Sequence, residues 1–530
     1  MTISRRSALA VLGGAVASTG VKRLSAAPTD AFDIEKGPFQ ATRESLKAYR
    51  IPDWFRDAKF GIWAHWGPQS AAEYGDWYAR RMYVQGERQY EYHVKTYGHP
   101  SKFGFKDVIA TWKAEQFDAD HLMQLYKKAG AKYFCSMGVH HDNFDLWDSK
   151  HQPRWNAVAS GPKKDIVGLW KNAAGKHGLR FAVSEHLSNS YNWFATAHTS
   201  DKTGPYDGVP YDGADPSYAD LYHALPKDYD LSKVTAKGPD AMSRVAPNSW
   251  KQLYYRRMKD LIDRYEPDML YTDGGIPFEE YGLNLVAHLY NASAKRNHGN
   301  VETIYTSKSR QECVEGTCVL DFERGLAAGI AANPWQTDTC IGGWHYDKTI
   351  YQNARYKSPK MVIDMFVDIV SRNGNLMLNF PLPSSGALDA AELNILEEIT
   401  KWMAINSEAI YSTRPWKMFG DGPAATAPPP DAAGRGGPRF GEQARKDLTA
   451  EEVRFTTKGG ALYAFVMGWP EKQTVIRPLG AANAGMKVAN VSLLGYDGKL
   501  QWAQELDGLK VQMPPVRPCD HAIALKIVSA

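Results

Sequence analysis

Short apolar runs recur along the chain, and four of them stop at a polar side chain able to do chemistry. The clearest is Met269-Leu270-Tyr271-Thr272-Asp273-Gly274-Gly275, which ends on a carboxylate and two glycines. Phe60 to Ala64 runs into His65-Trp66, Tyr133 to Val139 into His140-His141, and Phe181 to Ser184 into Glu185-His186. A continuous apolar run bounded by turn residues is the pattern of a strand buried on both faces, as in a parallel sheet. In a parallel barrel the functional groups sit where strands end. The repetition therefore predicts a TIM-type enzyme.

Helical patterns separate these runs. Asp118 to Lys128, Asp165 to His177 and Trp250 to Tyr265 carry apolar residues at helical spacing, and each stops at Gly130, Gly178 or Glu266-Pro267 just before a strand. Further strands are expected at Glu302–Thr306, Cys318–Phe322, weakly at Trp335–Ile341, and at Asn375–Phe380, making eight in all. Eight strands alternating with helices predict an α/β fold: a TIM-like (β/α)8 barrel over residues 32–416. An open doubly wound sheet is the runner-up, disfavoured because no glycine-rich phosphate loop follows the first strand. Residues 420–447 are rich in Pro, Gly and Ala and read as a flexible insertion. Over 448–530, short alternating runs split by Gly, Asp and Pro predict an antiparallel β-sandwich, a structural cap or a carbohydrate-binding module.

Composition narrows the function. A formal net charge of +4 over 530 residues provides no field for a polyanion, so no nucleic-acid partner is expected. Sixteen Trp and 28 Tyr offer flat faces for sugar rings, beside their ordinary use in cores. Residues 1–27 read as an export signal: Arg5-Arg6, an apolar run from Ala8 to Ala17, then Ser25-Ala26-Ala27 as a cleavage site. The paired arginines favour the twin-arginine route, and the mature protein is expected in the periplasm or secreted. No later stretch reads as a membrane span. Of the five cysteines, Cys313 and Cys318 are close enough to pair, and no spacing resembles a zinc site.

Cleavage of a glycosidic bond needs two carboxyl groups, one attacking or activating and one donating a proton. Asp273 is the best first member, with Tyr271 as an aromatic wall beside it; capping of the next helix is its bland alternative. Glu323 ends an apolar run in the same way two strands later, with Arg324 beside it to hold a substrate oxygen or a neighbouring acid. Asp321, Asp338 and Glu185 compete for the acid role. His140-His141-Asp142 suits hydrogen bonding to hydroxyls better than metal binding, because neighbours on a strand face opposite ways. His65-Trp66 offers a donor and a stacking plane, with structural roles as the alternative.

Several segments together resemble glycoside hydrolase family 29, the α-L-fucosidases. They are Trp54 to Tyr78, with Lys59-Phe60-Gly61-Ile62, His65-Trp66-Gly67 and Trp77-Tyr78; Tyr133 to Lys150; Pro267 to Gly274; Trp335 to Tyr346; Val367 to Pro381; and Trp402 to Trp416. The resemblance implies a TIM-like barrel with a C-terminal β-sandwich and a retaining, metal-free double displacement on α-L-fucosides. It makes Asp273 the nucleophile and His65, His140 and His141 fucose-binding residues. Trp77 matches an aromatic that follows Glu in the family, where this chain has Asp76. Many relatives carry Trp-Glu where this chain has Trp335-Gln336, and in some that Glu is the acid/base; the role is therefore expected at Glu323. Ser184-Glu185-His186 also replaces a tyrosine-bearing segment.

The expectation is an exo-α-L-fucosidase acting on fucosylated oligosaccharides or polysaccharides without a cofactor. Its substrate-binding set is His65, Trp66, Asp76, Trp77, His140, His141, Glu185, Tyr271, Arg324 and Trp335. A silent fucose-binding relative, motivated by Gln336, and a glycosidase for an α-L-galactoside or sulfated fucose are the alternatives.

Overall fold

Eight strands pair in chain order, all parallel: β1 (Phe60–Ala64), β2 (Tyr133–Val139), β3 (Arg180–Glu185), β4 (Met269–Thr272), β5 (Ile304–Ser307), β6 (Val319–Glu323), β7 (Trp335–Cys340) and β8 (Gly374–Asn379). β1 also pairs with β8, so the sheet closes into a barrel. This computed structural model describes residues 32–236, 246–426, 446–483 and 485–530. The expected strands are all there, displaced at their ends by one or two residues. β7 was the weakest in pattern because its polar residues, though wholly buried, serve the barrel interior. There Tyr133 donates to Gln336 Oε1 (2.8 Å), Gln336 donates to Asp321 Oδ2 (2.7 Å), and Tyr271 donates to Asp338 Oδ2 (2.9 Å).

The flanking helices start and stop on local chemistry. Asp118 and Asp165 are the N-caps of Ala119–Lys128 and Ile166–His177, accepting from the amides of His121 and Gly168. Gly178 closes the second helix at φ +71°, a left-handed conformation that suits glycine. After β3 the chain leaves the barrel in short 3-10 turns, one of which (Trp193–His198) carries Trp193 back over the mouth. Asn248–Tyr265 then leads into β4.

Beyond the barrel lie two antiparallel sheets. One joins β9 (Gly420–Asp421), β10 (Val453–Lys458), β11 (Ala461–Val466), β13 (Val488–Leu493) and β16 (Ile523–Ser529) in the order β13-β16-β11-β10-β9. The other has β12 (Gln473–Ile476), β15 (Leu509–Gln512) and β14 (Trp502–Gln504) in the order β12-β15-β14. Apolar residues of both sheets, among them Phe455, Ala464, Val511 and Leu525, fill one core. β14 and β15 escaped the sequence reading because they are short and partly polar. Gly420–Asp421, expected to open the flexible insertion, instead pairs with β10 as an edge strand, and Pro423–Thr426 makes a helical turn. The rest of that stretch to 445, like the expected signal at 1–27, lies outside the described residues.

The sheets dock on the barrel through buried polar contacts. Arg454 pairs with Asp368 of helix Pro359–Ser371 and with Glu452, while Trp402 donates to Ala522 O at 2.7 Å. No helix among the described residues is long and apolar enough to cross a membrane.

Candidate active site

The C-terminal ends of the barrel strands converge on one carboxylate. Asp273, the residue after β4, keeps 23% of its side chain exposed, and its backbone amide donates to Glu185 O of β3 at 3.2 Å. The next residue, Gly274, has φ +146° and open space where a Cβ would stand, so the chain turns off the strand and leaves the approach clear. Lys308, the residue after β5, reaches Asp273 Oδ1 at 2.7 Å. On the other oxygen, His141 Nε2 stands at 3.5 Å and His186 Nδ1 at 3.4 Å. Lys308 also contacts Glu323 Oε2, at the end of β6, at 2.9 Å. One ammonium thus joins both expected carboxylates and limits these two oxygens to a separation of 5.6 Å, the total of its 2.7 Å and 2.9 Å legs.

Around Asp273 lies a cluster of imidazoles. The ring centres of His65, His140 and His345 are 4.6–5.0 Å apart, and His186 stacks on His140 at 4.6 Å. Three imidazoles of the site, His140, His141 and His345, are held from behind. His140 Nδ1 meets the Gln69 amide at 2.8 Å, His141 Nδ1 meets His186 O at 2.8 Å, and His345 Nδ1 meets Asp76 Oδ1 at 2.7 Å. Asn379, ending β8, accepts from the His65 amide at 2.8 Å and donates to Trp344 O at 2.9 Å, tying the two sides of the rim together. Trp77 lies half-buried at the edge, 6.1 Å from His141 and 6.2 Å from Trp193. It sits at φ +59°, a strained conformation for an aromatic residue and one that sites of function retain.

The electrostatics favour a charged Asp273 beside the rings of His65, His140 and His186, whose charging burial disfavours. Burial by itself would raise the Asp273 carboxyl, but Lys308, then His186, and the close approach of the His141 ring hold it well below the carboxylate range. Burial would likewise lower Lys308, yet Asp273 and the other acids around it keep it well above its usual value. Burial pushes His65 and His140 well below the usual imidazole range and His186 down to about 4. Below Lys308, burial and then repulsion from Asp338 push Asp321 well up, and burial raises Asp338, so the surroundings of this interior pair favour its protonated forms.

Several expected residues lie elsewhere. Glu185 is fully buried: Oε1 accepts from Thr272 and from Tyr254 (3.1 Å), and Oε2 accepts from the Leu187 amide (2.9 Å). It pins the strand ends and does not face a substrate. Trp66 is 1% exposed, packs on Trp112 and Phe117, and donates to Pro383 O at 2.9 Å; it has no free plane for stacking. Trp335 begins β7 at the opposite mouth, where it packs on Phe322 and donates to Arg372 O at 3.0 Å. Gln336 beside it is equally deep, so the absence of a carboxylate there removes nothing from the rim. Tyr271 forms the floor under His186 and Trp63. Arg324 is on the rim against the Trp344 ring (4.9 Å), with its amide donating to Asp338 O. Glu323 is 46% exposed, so it stands in the open mouth and not in the buried setting expected of it.

Lys308, Trp344 and His345 were missed, and in the Glu185-His186 pair the carboxylate was chosen over the imidazole. Lys308 obeys the same rule as Asp273, a polar residue ending a short strand, but a lysine there looks like ordinary surface. His345 lies in a loop, Gly342-Gly343-Trp344-His345, to which no strand rule applies.

Comparison with known proteins agrees with this geometry. The α-L-fucosidase family profile matches residues 27–408, and that of the α-L-fucosidase C-terminal domain matches residues 445–528. The chain is 26% identical to the tissue α-L-fucosidase of Mus musculus, covering 91% of this chain and 93% of that protein. It is also 26% identical to the plasma α-L-fucosidase of Homo sapiens, with 93% and 92% covered. Among solved structures, Thermotoga maritima α-fucosidase in complex with fucose superposes with a TM-score of 0.67 at 23% identity, covering 92% of this chain and all of that one. A GH29 α-L-fucosidase of Bacteroides thetaiotaomicron, trapped as a covalent intermediate, gives 0.58 at 17% identity, with 94% and 99% covered. With the profile spanning most of its length, the chain belongs to the α-L-fucosidase family of glycoside hydrolases.

Proposed function

We propose that this protein is a retaining exo-α-L-fucosidase in which Asp273 is the nucleophile and Glu323 the acid/base. The observation that carries this reading is the Lys308 bridge. It limits the facing carboxylate oxygens to 5.6 Å, close to the ~5–5.5 Å of a retaining pair and short of the ~6.5 Å an inverting pair needs for its water. In the first step Asp273 attacks the anomeric carbon while Glu323 protonates the leaving oxygen; in the second, Glu323 takes a proton from water, which displaces Asp273. Negative charge therefore leaves Asp273 and arrives at Glu323, and Lys308 contacts both. The imidazoles of His65, His140, His141, His186 and His345 donate to and accept from sugar hydroxyls, with Trp77 at the entrance.

Two variants test the roles. Asp273→Ala retains the fold and loses turnover of an aryl α-L-fucoside; near-normal rates would dismiss the assignment. Glu323→Gln slows substrates with poor leaving groups most, and azide, attacking the β-linked Asp273 intermediate, restores turnover of an activated aryl fucoside as the α-fucosyl azide. An unchanged pH profile in that variant would reject Glu323. We further propose that residues 1–27 direct export to the periplasm or beyond, which N-terminal sequencing of the mature protein checks.

A further inference from the structure

The floor of the sugar site has the arrangement of a three-imidazole metal centre. His65, Asp76, His140 and His345 each offer a ligand atom, all within 4.8 Å of one another. The three ring centres form a nearly equilateral triangle, with sides of 5.0, 4.6 and 4.8 Å. Imidazoles bound to one tetrahedral ion at about 2.0–2.1 Å carry their ring centres on the order of 5 Å apart. The supporting contacts suit a metal as well. Asp76 holds His345 Nδ1, leaving its Nε2 buried and without a protein partner, the carboxylate–histidine pairing that orients metal ligands. Both ring nitrogens of His65 are also buried and unpartnered. Gln69 meets His140 Nδ1 at 2.8 Å, which fixes that ring and leaves its Nε2 for a ligand. The neighbouring group His140, His141 and His186 is less suited, because His141 and His186 already face the Asp273 carboxylate.

We propose that His65, His140 and His345 capture one divalent transition-metal ion, Zn2+ being the best match, in competition with the sugar. The ion is an inhibitor and takes no part in the hydrolytic reaction. It fills the space in which the same imidazoles would meet hydroxyls, so metal and sugar weaken each other's binding by the same factor. The competition rests on the sugar reading of this site; the metal binding does not.

Calorimetry with Zn2+ on the chelator-treated full chain, and Co2+ titration followed by visible absorption, test the proposal. One equivalent is expected to bind, Co2+ to show the intense bands of four-coordinate geometry, and added L-fucose to weaken the metal. His345→Gln is expected to bind Zn2+ at least about tenfold more weakly, and Asp76→Asn, which keeps all three imidazoles, about 10–100-fold more weakly. Cys313→Ser, removing a thiol 2.7 Å from Cys318, should bind as the parent does. Unchanged affinity in both site variants, metal lost with Cys313→Ser, or no binding at all would overturn the proposal. Zn2+ bound without interference from L-fucose would overturn the competition. If Zn2+ binds and L-fucose displaces it while no fucoside is hydrolysed, the hydrolase reading fails and the metal site stands. Hydrolysis without Zn2+ binding removes the metal site and leaves the hydrolase reading intact.

Discussion

Lys308 is half-buried against the acids it contacts, and its charge survives there because Asp273, Asp338 and Glu323 outweigh its loss of water. The same pairing keeps Asp273 ionised, and this sets the sign of its pH effect. In the proposed mechanism Asp273 attacks as the carboxylate, and Lys308 is the largest influence lowering its pKa. Lys308→Met should therefore move the acidic limb of kcat/KM to higher pH and reduce kcat by about 10²-fold or more, with Lys308→Arg recovering part of the loss. An acidic limb that stays in place would show that the ammonium does not set this carboxylate. Glu185 makes the opposite case, a carboxylate that is structural. Burial raises it, while bonds from Thr272, Tyr254 and two backbone amides oppose the shift. Glu185→Ala strands those donors and should lower stability by about 1–3 kcal/mol in urea unfolding, leaving KM for an aryl fucoside unchanged. A raised KM at full stability would return Glu185 to the sugar.

At the level of elements, one rule located much of the site: an apolar strand in a closed parallel barrel puts its next polar residue on the rim. It worked at β1, β2 and β4, where His65, His140-His141 and Asp273 come directly after the strand. It failed by one position at β3, where Glu185 is still within the strand and His186 is the group that emerges. It also failed for Trp66, because the residue after a rim histidine turns back under the loops. Trp66 fills a buried aromatic nest with Trp112 and Phe117, so Trp66→Ala should cost about 3–5 kcal/mol of stability. Thermal unfolding checks this against KM for the sugar; a KM effect with no loss of Tm would revive the stacking role. β7 reads poorly because period and polarity are judged against an apolar interior, and this barrel has Gln336, Asp321 and Asp338 inside it.

Across the whole molecule, the C-terminal sheets are joined to the barrel by a polar junction centred on Arg454. This side chain is 1% exposed, pairs with Asp368 and Glu452, and lies against the Phe419 ring at 5.7 Å. Arg454→Ala leaves acids buried without it and should destabilise the junction by about 3–5 kcal/mol. The expected readout is a lower Tm or an early separate transition of the C-terminal part, with aryl-fucoside kinetics intact below that temperature. An unchanged Tm would mean that the two parts hold together without this pair.

The sequence by itself determined the eight strands, the existence of a second β domain and the place of the Asp273 carboxylate on the rim, because each depends on local period and on the residue that comes next after a strand. It did not determine which polar groups meet. Lys308, His186, Trp344 and His345 join Asp273 and Glu323 only because barrel closure brings the ends of β3 to β8 to one mouth. The burial that turned Glu185, Trp66 and Trp335 from binding candidates into supports likewise arises from packing between segments distant in sequence. Side-chain chemistry is written locally, but its charge state and its partners are set by the neighbours that only the folded chain supplies.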